Sequence, residues 1–230
     1  MKINIKKTLS FFEEKRREDA GHASGIVGIL GEDLNAAAFK HFMERKGGKV
    51  EILNTPVTTG QKKGKRLDRW IYIKIGREEI LYQTEIKNWS SWAIGGKFLP
   101  IDADNKDVVE LAKYYWDGQM KREFVEDEGP NGVTKVLISM NVPKEYKKDS
   151  IRVEPLLIYW MPISNTEKID PFFSVTIPEI NRKIKTEFKK LYIFSVSLYL
   201  RQLLKKRKVC DFDMPHVEER MKILNDIIVN

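Results

Sequence analysis

Two carboxylates and one lysine fall within a single predicted strand hairpin, and their types and spacing suit metal chemistry. Asp68 stands at the start of one run of apolar and aromatic residues, and Glu85 and Lys87 end the run that returns. Such runs predict two strands, and Gly76-Arg77 between them suits a two-residue type II′ turn. If the residues flanking that turn pair with each other, Asp68 lies directly opposite Glu85. The strand period of two then places Lys87 on the same face.

Two acids and an amine are therefore expected close together. Like charges on the two carboxylates are unfavourable unless a cation compensates them. Mg²⁺ prefers oxygen ligands and needs only one or two carboxylates, together with water and a substrate phosphate. The cluster thus predicts a site for Mg²⁺ or Mn²⁺. The alternative is a solvated ladder of charges on an exposed hairpin, which is the more frequent meaning of three such residues taken alone.

Burial distinguishes these alternatives. One face of the hairpin is apolar, and the face that carries Asp68 is apolar in part. The first face comprises Ile71, Ile73, Ile75, Ile80, Tyr82 and Ile86, and the second includes Trp70, Tyr72 and Leu81. A hairpin covered on both sides belongs in the centre of a layered α/β fold, where a charged group needs a compensating partner or a function.

This arrangement resembles the active-site motif of the PD-(D/E)xK nuclease superfamily. Asp68, sixteen intervening residues and then Glu85-Ile86-Lys87 match the motif, and Leu67 stands where the family usually has proline. The resemblance covers residues 20–142. It implies an α/β, restriction-endonuclease-like fold with an α-β-β-β-α-β core, in which helices flank a central mixed sheet. Extra C-terminal strands and helices follow here.

The predicted elements give the order of that core. A helix is expected over Ile26 to Arg45, before the stop signal Gly47-Gly48, and a strand over Lys49 to Leu53. After the hairpin, a helix is expected from about Lys106 to Glu126, and a closing strand from Lys135 to Val142.

The resemblance implies metal-assisted hydrolysis of phosphodiester bonds. Asp68 and Glu85, assisted by the carbonyl of Ile86, would hold Mg²⁺ or Mn²⁺. Lys87 would orient or deprotonate the attacking water and stabilise the pentacovalent phosphate. A glutamate of the first helix often completes the site in this family, so Glu32 would bind a second metal ion or hold Lys87 in place.

Basic and aromatic residues around the hairpin indicate contacts with nucleic acid. The segment before Asp68 is basic and contains glycines, which suits contact with backbone phosphates, although an ordinary solvated loop has the same composition. Two tryptophans after Lys87 suit stacking on bases, or else pack against the rim of the core. Nucleases of the family place a Gln or a Lys on the second helix beside the active site, and Gln83 is expected to line the cleft. The candidate DNA-contacting residues are Lys62, Lys63, Lys65, Arg66, Trp89, Trp92, Lys113 and Gln119.

The composition favours a globular protein with a polyanionic partner. The chain has 230 residues, of which 42% are hydrophobic and 32% charged, a formal net charge of +8 and a pI near 9.3. This length can bury a substantial core, and the charge favours a polyanionic partner such as nucleic acid. Together with the nuclease resemblance, this implies duplex or branched DNA as the partner. The single cysteine, Cys210, excludes an intrachain disulfide, and the three histidines show no zinc-ligand spacing.

We predict one nuclease domain over residues 1–230. It comprises a charged N-terminal segment (1–19), helical around Phe11 to Glu18, a catalytic core (20–142) and a C-terminal elaboration (143–230). A long helix in the elaboration is apolar nearly all round, so it either completes the core or forms the interface of a homodimer. The C-terminal elements are expected at Glu154 to Ile163 and Phe172 to Ile177 as strands, and at Glu187 to Lys208 and His216 to Val229 as helices.

Two other function classes stay open beside the nuclease. One is a non-catalytic nucleic-acid-binding protein that keeps the fold, which the intact set of Asp68, Glu85 and Lys87 argues against. The other is a phosphoesterase acting on small nucleotides, against which stand the basic charge and the lack of a glycine-rich nucleotide loop. Within the nuclease prediction, restriction, junction-resolving and repair types stay open. The sequence predicts no signal peptide and no membrane span, so a cytoplasmic location without membrane contact is expected.

Overall fold

The computed structural model describes nine stretches of the chain. They are residues 1–12, 20–60, 64–87, 103–110, 124–125, 129–130, 132–160, 169–177 and 186–227. Several of the predicted DNA-contacting residues lie outside these stretches, namely Lys62, Lys63, Trp89, Trp92, Lys113 and Gln119.

Strands and helices are mixed along the chain. In chain order they are β1 (Lys2–Asn4), α1 (Ile5–Ser10), α2 (Ala20–Arg45), β2 (Lys49–Leu53), β3 (Val57–Thr58), β4 (Arg66–Leu67), β5 (Arg69–Ile75), β6 (Glu78–Lys87), β7 (Phe124–Val125), β8 (Gly129–Pro130), β9 (Ile151–Tyr159), β10 (Phe172–Thr176), β11 (Lys190–Ser195), α3 (Val196–Leu204), β12 (Val209–Asp211) and α4 (Pro215–Ile227). Two 3₁₀ helices, Gly132–Leu137 and Lys144–Tyr146, precede β9, and residues 105–110 are also helical. No helix in the described stretches has both the length and the apolar character needed to cross a membrane.

A six-stranded mixed sheet forms the centre of the described structure. Its strand order is β10-β11-β9-β6-β5-β2. β6 pairs in parallel with β9, and β9 with β11, whereas the other neighbours are antiparallel. Helices flank this sheet, so the predicted α/β class with a central mixed sheet is confirmed.

Apolar clusters cover both faces of the sheet. On one face α1, α2 and α3 pack against Ile71 and Ile73, and on the other the first 3₁₀ helix packs against Trp70 and Leu81. All four of these side chains are at most 1% exposed. Full burial of such a side chain stabilises a fold by about 1.5–3 kcal/mol. Because neighbouring residues alternate between the two clusters, the hairpin is buried on both sides, as the sequence predicts.

The turn of this hairpin fixes its register. Ile75 pairs with Glu78, and Gly76 between them has a φ of +58°, which residues with a side chain rarely adopt. Pairing continues in the same register to Arg69 and Thr84. The predicted hairpin and its register are therefore confirmed.

The predicted strand from Lys135 to Val142 is wrong. Gly132–Leu137 forms a 3₁₀ helix instead, and residues 138–143 have no regular structure. A strand would point Val136 and Leu137 to opposite faces, but both are fully buried in one cluster beneath the sheet. The strand that pairs in parallel with β6 is β9, which lies further along the chain.

The predicted helix from Glu187 to Lys208 is also wrong in its first half. That half is strand β11, in which Leu191 and Phe194 are fully buried because both faces of the strand are covered. A continuous apolar run of this kind has no period that separates a buried strand from a buried helix. Ser195 ends the strand and caps α3, since its hydroxyl accepts a hydrogen bond from the amide of Leu198 (3.3 Å).

The apolar surface that predicted a homodimer is used within the chain. α3 packs against α1 and α2, and most of its side chains are buried there. The homodimer stays a prediction. The exposed apolar helix on which that prediction was based is not present in the described part of the chain.

Smaller differences concern element ends. The segment expected as a helix from Lys106 to Glu126 is helical up to residue 110 and is strand β7 at Phe124–Val125, and residues 111–123 lie outside the described stretches. α1 (Ile5–Ser10) precedes the helix expected around Phe11 to Glu18, of which residues 13–18 lie outside the described stretches. α2 begins at Ala20, six residues before the predicted start, and ends at Arg45 as predicted. α4 begins one residue before the predicted His216.

Gln83 fastens residues 136–140, the end of the first 3₁₀ helix and the irregular segment after it, to the sheet. Its Nε2 donates to the carbonyls of Val136 (2.6 Å) and Ile138 (2.8 Å), and its Oε1 accepts from the amide of Met140 (3.2 Å). The side chain is fully buried. Gln83, expected to line the cleft, thus forms a structural bridge between β6 and a segment that pairs with no strand of the described structure.

We expect Gln83→Leu to lower the free energy of unfolding by about 2–4 kcal/mol, because three buried backbone groups lose their partner. Urea denaturation measures this change. Glu78→Gln, at an exposed position of the same strand, is the control and should stay within about 0.5 kcal/mol of the wild type. A Gln83→Leu variant as stable as this control would contradict the structural role.

Candidate metal centre

Asp68 lies at the junction between β4 and β5 and faces the end of β6. Its amide donates to the carbonyl of Thr84 (3.0 Å), and its Oδ2 accepts a hydrogen bond from the amide of Ile86 (2.6 Å). Since Arg69 pairs with Thr84, Asp68 stands opposite Glu85 one residue further on. The convergence of Asp68 and Glu85 predicted from the turn is thus present in the structure.

Glu85 is a buried carboxylate with two lysines on one of its oxygens. Its side chain is 1% exposed. Oε1 accepts from Nζ of Lys87 at 2.5 Å and lies 3.2 Å from Nζ of Lys135. Oε2 is also buried and has no hydrogen-bond partner among the described residues. A buried carboxylate oxygen without a partner destabilises the fold unless a cation or a hydrogen-bond donor binds it.

Lys135 is the site residue that the sequence reasoning missed. It lies on the 3₁₀ helix Gly132–Leu137, and its Nζ also donates to the carbonyl of Arg66 (3.0 Å). Nothing in its spacing from Glu85 indicates this contact, because the two residues are far apart in sequence and meet only through the packing of the 3₁₀ helix against the sheet. The lysine-rich composition gave no reason to choose it.

Burial is the main electrostatic influence on Glu85. It raises the pKa of the Glu85 carboxyl, the negative charge of Asp68 raises it further, and the ammonium groups of Lys87 and Lys135 act in the opposite direction. The immediate cluster therefore contains two acids and two amines, which balance in charge when all four are ionised.

The residues present fit a hard divalent cation. Oε2 of Glu85, which has no hydrogen-bond partner in the described part of the chain, and the carboxylate of Asp68 could serve as oxygen ligands on adjacent strand ends. The carbonyl of Ile86 leaves β6 on the same side as its amide, which bonds Asp68. No group of three or more His, Cys, Asp or Glu side chains that could hold a metal ion occurs in the described stretches. Mg²⁺ needs only one or two carboxylates when water and phosphate complete its shell, so this set suits Mg²⁺ or Mn²⁺.

Glu32 lies on α2, and its ion-pair partner is Arg69, the residue that follows Asp68. Its side chain is exposed, and its carboxylate lies 3.7 Å from the guanidinium of Arg69. Among the described residues it has no contact with Lys87, whose ion-pair partner is Glu85. The structure thus links Glu32 to the backbone of Asp68 through Arg69, and the predicted roles of Glu32 stay predictions.

An ion-pair network supports the strand end that carries Asp68. Arg69 donates to the carbonyl of Asp68 (2.9 Å) and lies 3.4 Å from Asp33 of α2, which Arg220 of α4 also contacts. Asp33 is only 11% exposed. The network joins α2, α4 and the start of β5, and so limits the movement of Asp68.

A groove with a volume of about 1030 Å³ opens beside Asp68. It lies between α2, β2, β4 and α4. Arg66, one of the predicted DNA-contacting residues, lines it and is exposed, whereas Lys65 is half-buried. Charged side chains of both signs line this groove, among them Lys40, Arg66, Arg69 and Arg220, and Asp33, Glu51, Asp213 and Glu219.

No protein-family model, no curated protein and no solved structure matches this chain. The functional argument therefore depends on the chemistry of the residues that the fold brings together.

We expect Glu85→Gln to gain stability relative to the wild type as pH rises in the absence of metal. A carboxyl whose folded-state pKa is raised contributes its stability fully below the unfolded-state pKa and loses it as pH rises through the folded-state pKa. The variant has no such ionisation, so by pH 8 its Tm should exceed that of the wild type by at least about 2 °C, the shift that ~1 kcal/mol produces at this length. Thermal unfolding with EDTA from pH 4 to pH 8 measures it.

Glu79→Gln is a control of opposite sign on the same strand. The ion pair with Lys74 lowers the pKa of Glu79, so this variant should lose stability relative to the wild type over the same pH range. A Tm difference between Glu85→Gln and the wild type that does not change with pH would contradict the role of buried charge.

Proposed function

We propose that this protein is a metal-dependent nuclease that hydrolyses DNA phosphodiester bonds. The observation that carries the proposal is the buried carboxylate of Glu85, which faces Asp68, binds Lys87 through one oxygen and has no hydrogen-bond partner among the described residues for the other. Such a cluster, at the end of a central strand, brings together ligands for a divalent ion and an amine at the position where a water would attack.

Each residue has a distinct chemical task in this proposal. Asp68 and Glu85, with the carbonyl of Ile86, would hold Mg²⁺ or Mn²⁺. When bound, such an ion would lower the pKa of a coordinated water and stabilise the charge that develops on the scissile phosphate. Lys87 is 32% exposed, so its ammonium can reach a substrate while it stays hydrogen-bonded to Glu85. There the ammonium would orient the attacking water and stabilise the pentacovalent phosphate, whereas only a neutral Lys87 amine could accept the proton of that water.

The strand arrangement around the site supports the same proposal. β2, β5 and β6 are consecutive antiparallel neighbours, and β9 adds to β6 in parallel after a long connection that includes a helical segment. This is the order that a restriction-endonuclease-like core would have, with β9 as its fourth strand. The site residues lie where β5 begins and β6 ends.

The charge of the chain favours DNA over a small nucleotide as the substrate. The net charge is +8, and basic residues are concentrated in the segment that leads to Asp68. Lysine and arginine side chains at such positions neutralise backbone phosphates and hold a polyanion against the site. We therefore propose an endonuclease of restriction, junction-resolving or repair type.

The experiment that tests this function is a digest of four DNA forms with Mg²⁺, Mn²⁺ or EDTA. The forms are supercoiled plasmid, linear duplex, single strand and a four-way junction. Metal-dependent cleavage of closed circular DNA supports an endonuclease. DNA binding without cleavage under any of these conditions would instead support a non-catalytic nucleic-acid-binding protein.

We expect Asp68→Asn and Glu85→Gln to lose both Mn²⁺ binding and cleavage, because each removes a charged ligand. Cleavage should fall by at least about 10³-fold, and calorimetry should show no heat of Mn²⁺ binding at concentrations that saturate the wild type. Glu79→Gln, on the same strand but at its other end, is the matched control and should behave as the wild type. Unchanged Mn²⁺ affinity in both site variants would refute the metal assignment.

Lys87→Ala should separate catalysis from binding. The variant keeps both carboxylates, so we expect Mn²⁺ and DNA to bind while cleavage slows by about 10²-fold or more, the usual loss when a general base or charge stabiliser is removed. Lys74→Ala, on the neighbouring strand, serves as the control. Single-turnover cleavage at saturating Mn²⁺ is the measurement, and a wild-type rate in Lys87→Ala would show that this lysine does no chemistry.

A further inference from the structure

We infer that Lys135 is a second functional lysine of this site, which contacts the scissile phosphate once a divalent ion is bound to Glu85. The inference depends on the proposed function and extends it to a residue outside the Asp68, Glu85 and Lys87 set. Its starting point is geometric: Nζ of Lys135 lies 3.2 Å from Oε1 of Glu85 and 3.0 Å from the carbonyl oxygen of Arg66.

Lys135 reaches Glu85 from a different element than Lys87 does. Lys87 belongs to the same strand as Glu85, whereas Lys135 belongs to a 3₁₀ helix packed beneath that face of the sheet. Val136 and Leu137, which follow it, are fully buried and fix the helix in place. Lys135 itself is 23% exposed, so its ammonium is held at the edge of the site with access to solvent.

The charge balance of the cluster gives Lys135 a role beyond compensation of Glu85. When all four groups are ionised and no metal is bound, Lys87 and Lys135 balance the charges of Asp68 and Glu85. A divalent ion on the two carboxylates would bring the site to a net charge of +2. A phosphodiester attacked by hydroxide carries two negative charges in its transition state, which such a site neutralises. If Lys135 were absent, one of these positive charges would be missing.

Lys135 and a metal ion would also compete for the same carboxylate. Both are cations attracted to Glu85, so binding of the ion weakens the ion pair that Lys135 makes there. The hydrogen bond to Arg66 does not involve Glu85, and it keeps the ammonium beside the site. That carbonyl belongs to the residue two positions before Asp68, at the end of the basic segment. The ammonium is thereby free to bind a phosphate oxygen that arrives with the substrate.

The alternative is a purely structural role, in which Lys135 only pins β4 to the 3₁₀ helix. The two roles differ in what removal of the charge does to metal affinity. A competing cation weakens Mn²⁺ binding, so its removal strengthens that binding, whereas loss of a structural pin leaves Mn²⁺ affinity equal or weaker.

The test uses the full chain with Lys135→Met, which keeps the length of the side chain and removes its charge. Calorimetry with Mn²⁺ alone should show binding about tenfold tighter than in the wild type, because a like charge is removed at short range. Single-turnover cleavage at saturating Mn²⁺ should nevertheless fall by about 10²-fold. Lys135→Arg, which keeps a cation at this position, should restore Mn²⁺ affinity to the wild-type value and recover part of the rate. Lys147→Met, at an exposed lysine of the same connection, is the matched control.

Tighter Mn²⁺ binding together with slower cleavage supports the inference. Mn²⁺ affinity that is unchanged or weaker in Lys135→Met, or cleavage at the wild-type rate, overturns it. Lys135→Gln supplies the same comparison if Lys135→Met does not fold. Failure of the proposed function looks different, because Mn²⁺ would then bind neither the wild type nor Lys147→Met, or would still bind Asp68→Asn and Glu85→Gln.

Discussion

The buried carboxyl of Glu85, on the central strand β6, is what the surrounding residues have to accommodate. Taking a carboxylate out of water costs several kcal/mol unless partners or a cation compensate it. Here Asp68 adds to the cost, because it places a second acid across the strand pair, while Lys87 and Lys135 reduce it. A fold that needed only stability would gain by a neutral residue at position 85. The burial of this carboxyl is therefore the observation on which the proposed metal site depends.

The scaffold explains why this charge can be held so firmly. β6 is bordered by β5 on one side and β9 on the other, and both its faces are covered. Two positions before Glu85 on the same face, Gln83 bonds three backbone groups of the segment that follows Lys135. β6 thus carries Glu85 and also holds, through Gln83, the segment next to Lys135. A shift of that segment would alter the site before it altered the sheet.

Local sequence patterns were sufficient to predict that Asp68 and Glu85 lie opposite each other. The Gly76 turn and the alternation of apolar residues set the register, and the register alone places Asp68 opposite Glu85. Lys135 escaped prediction because its contact depends on where a 3₁₀ helix packs, and no periodicity in residues 132–140 encodes that position. The error at residues 187–208 has a related cause, since an apolar run buried on both faces looks the same in a strand and in a helix. Thus short-range pairing was predictable, whereas contacts made across the layers were not.

If the proposed function is correct, the protein separates the charge that attracts DNA from the charge that acts on it. The cluster of two acids and two amines is neutral when all four are ionised, so without a metal it exerts little attraction on a phosphate. The attraction must come from basic residues elsewhere on a chain of net charge +8. The positive charge at the cluster then depends on the divalent ion, and it is concentrated where Lys87 and Lys135 already flank Glu85. Binding without metal and cleavage with metal would follow from this separation, because different residues control the two steps.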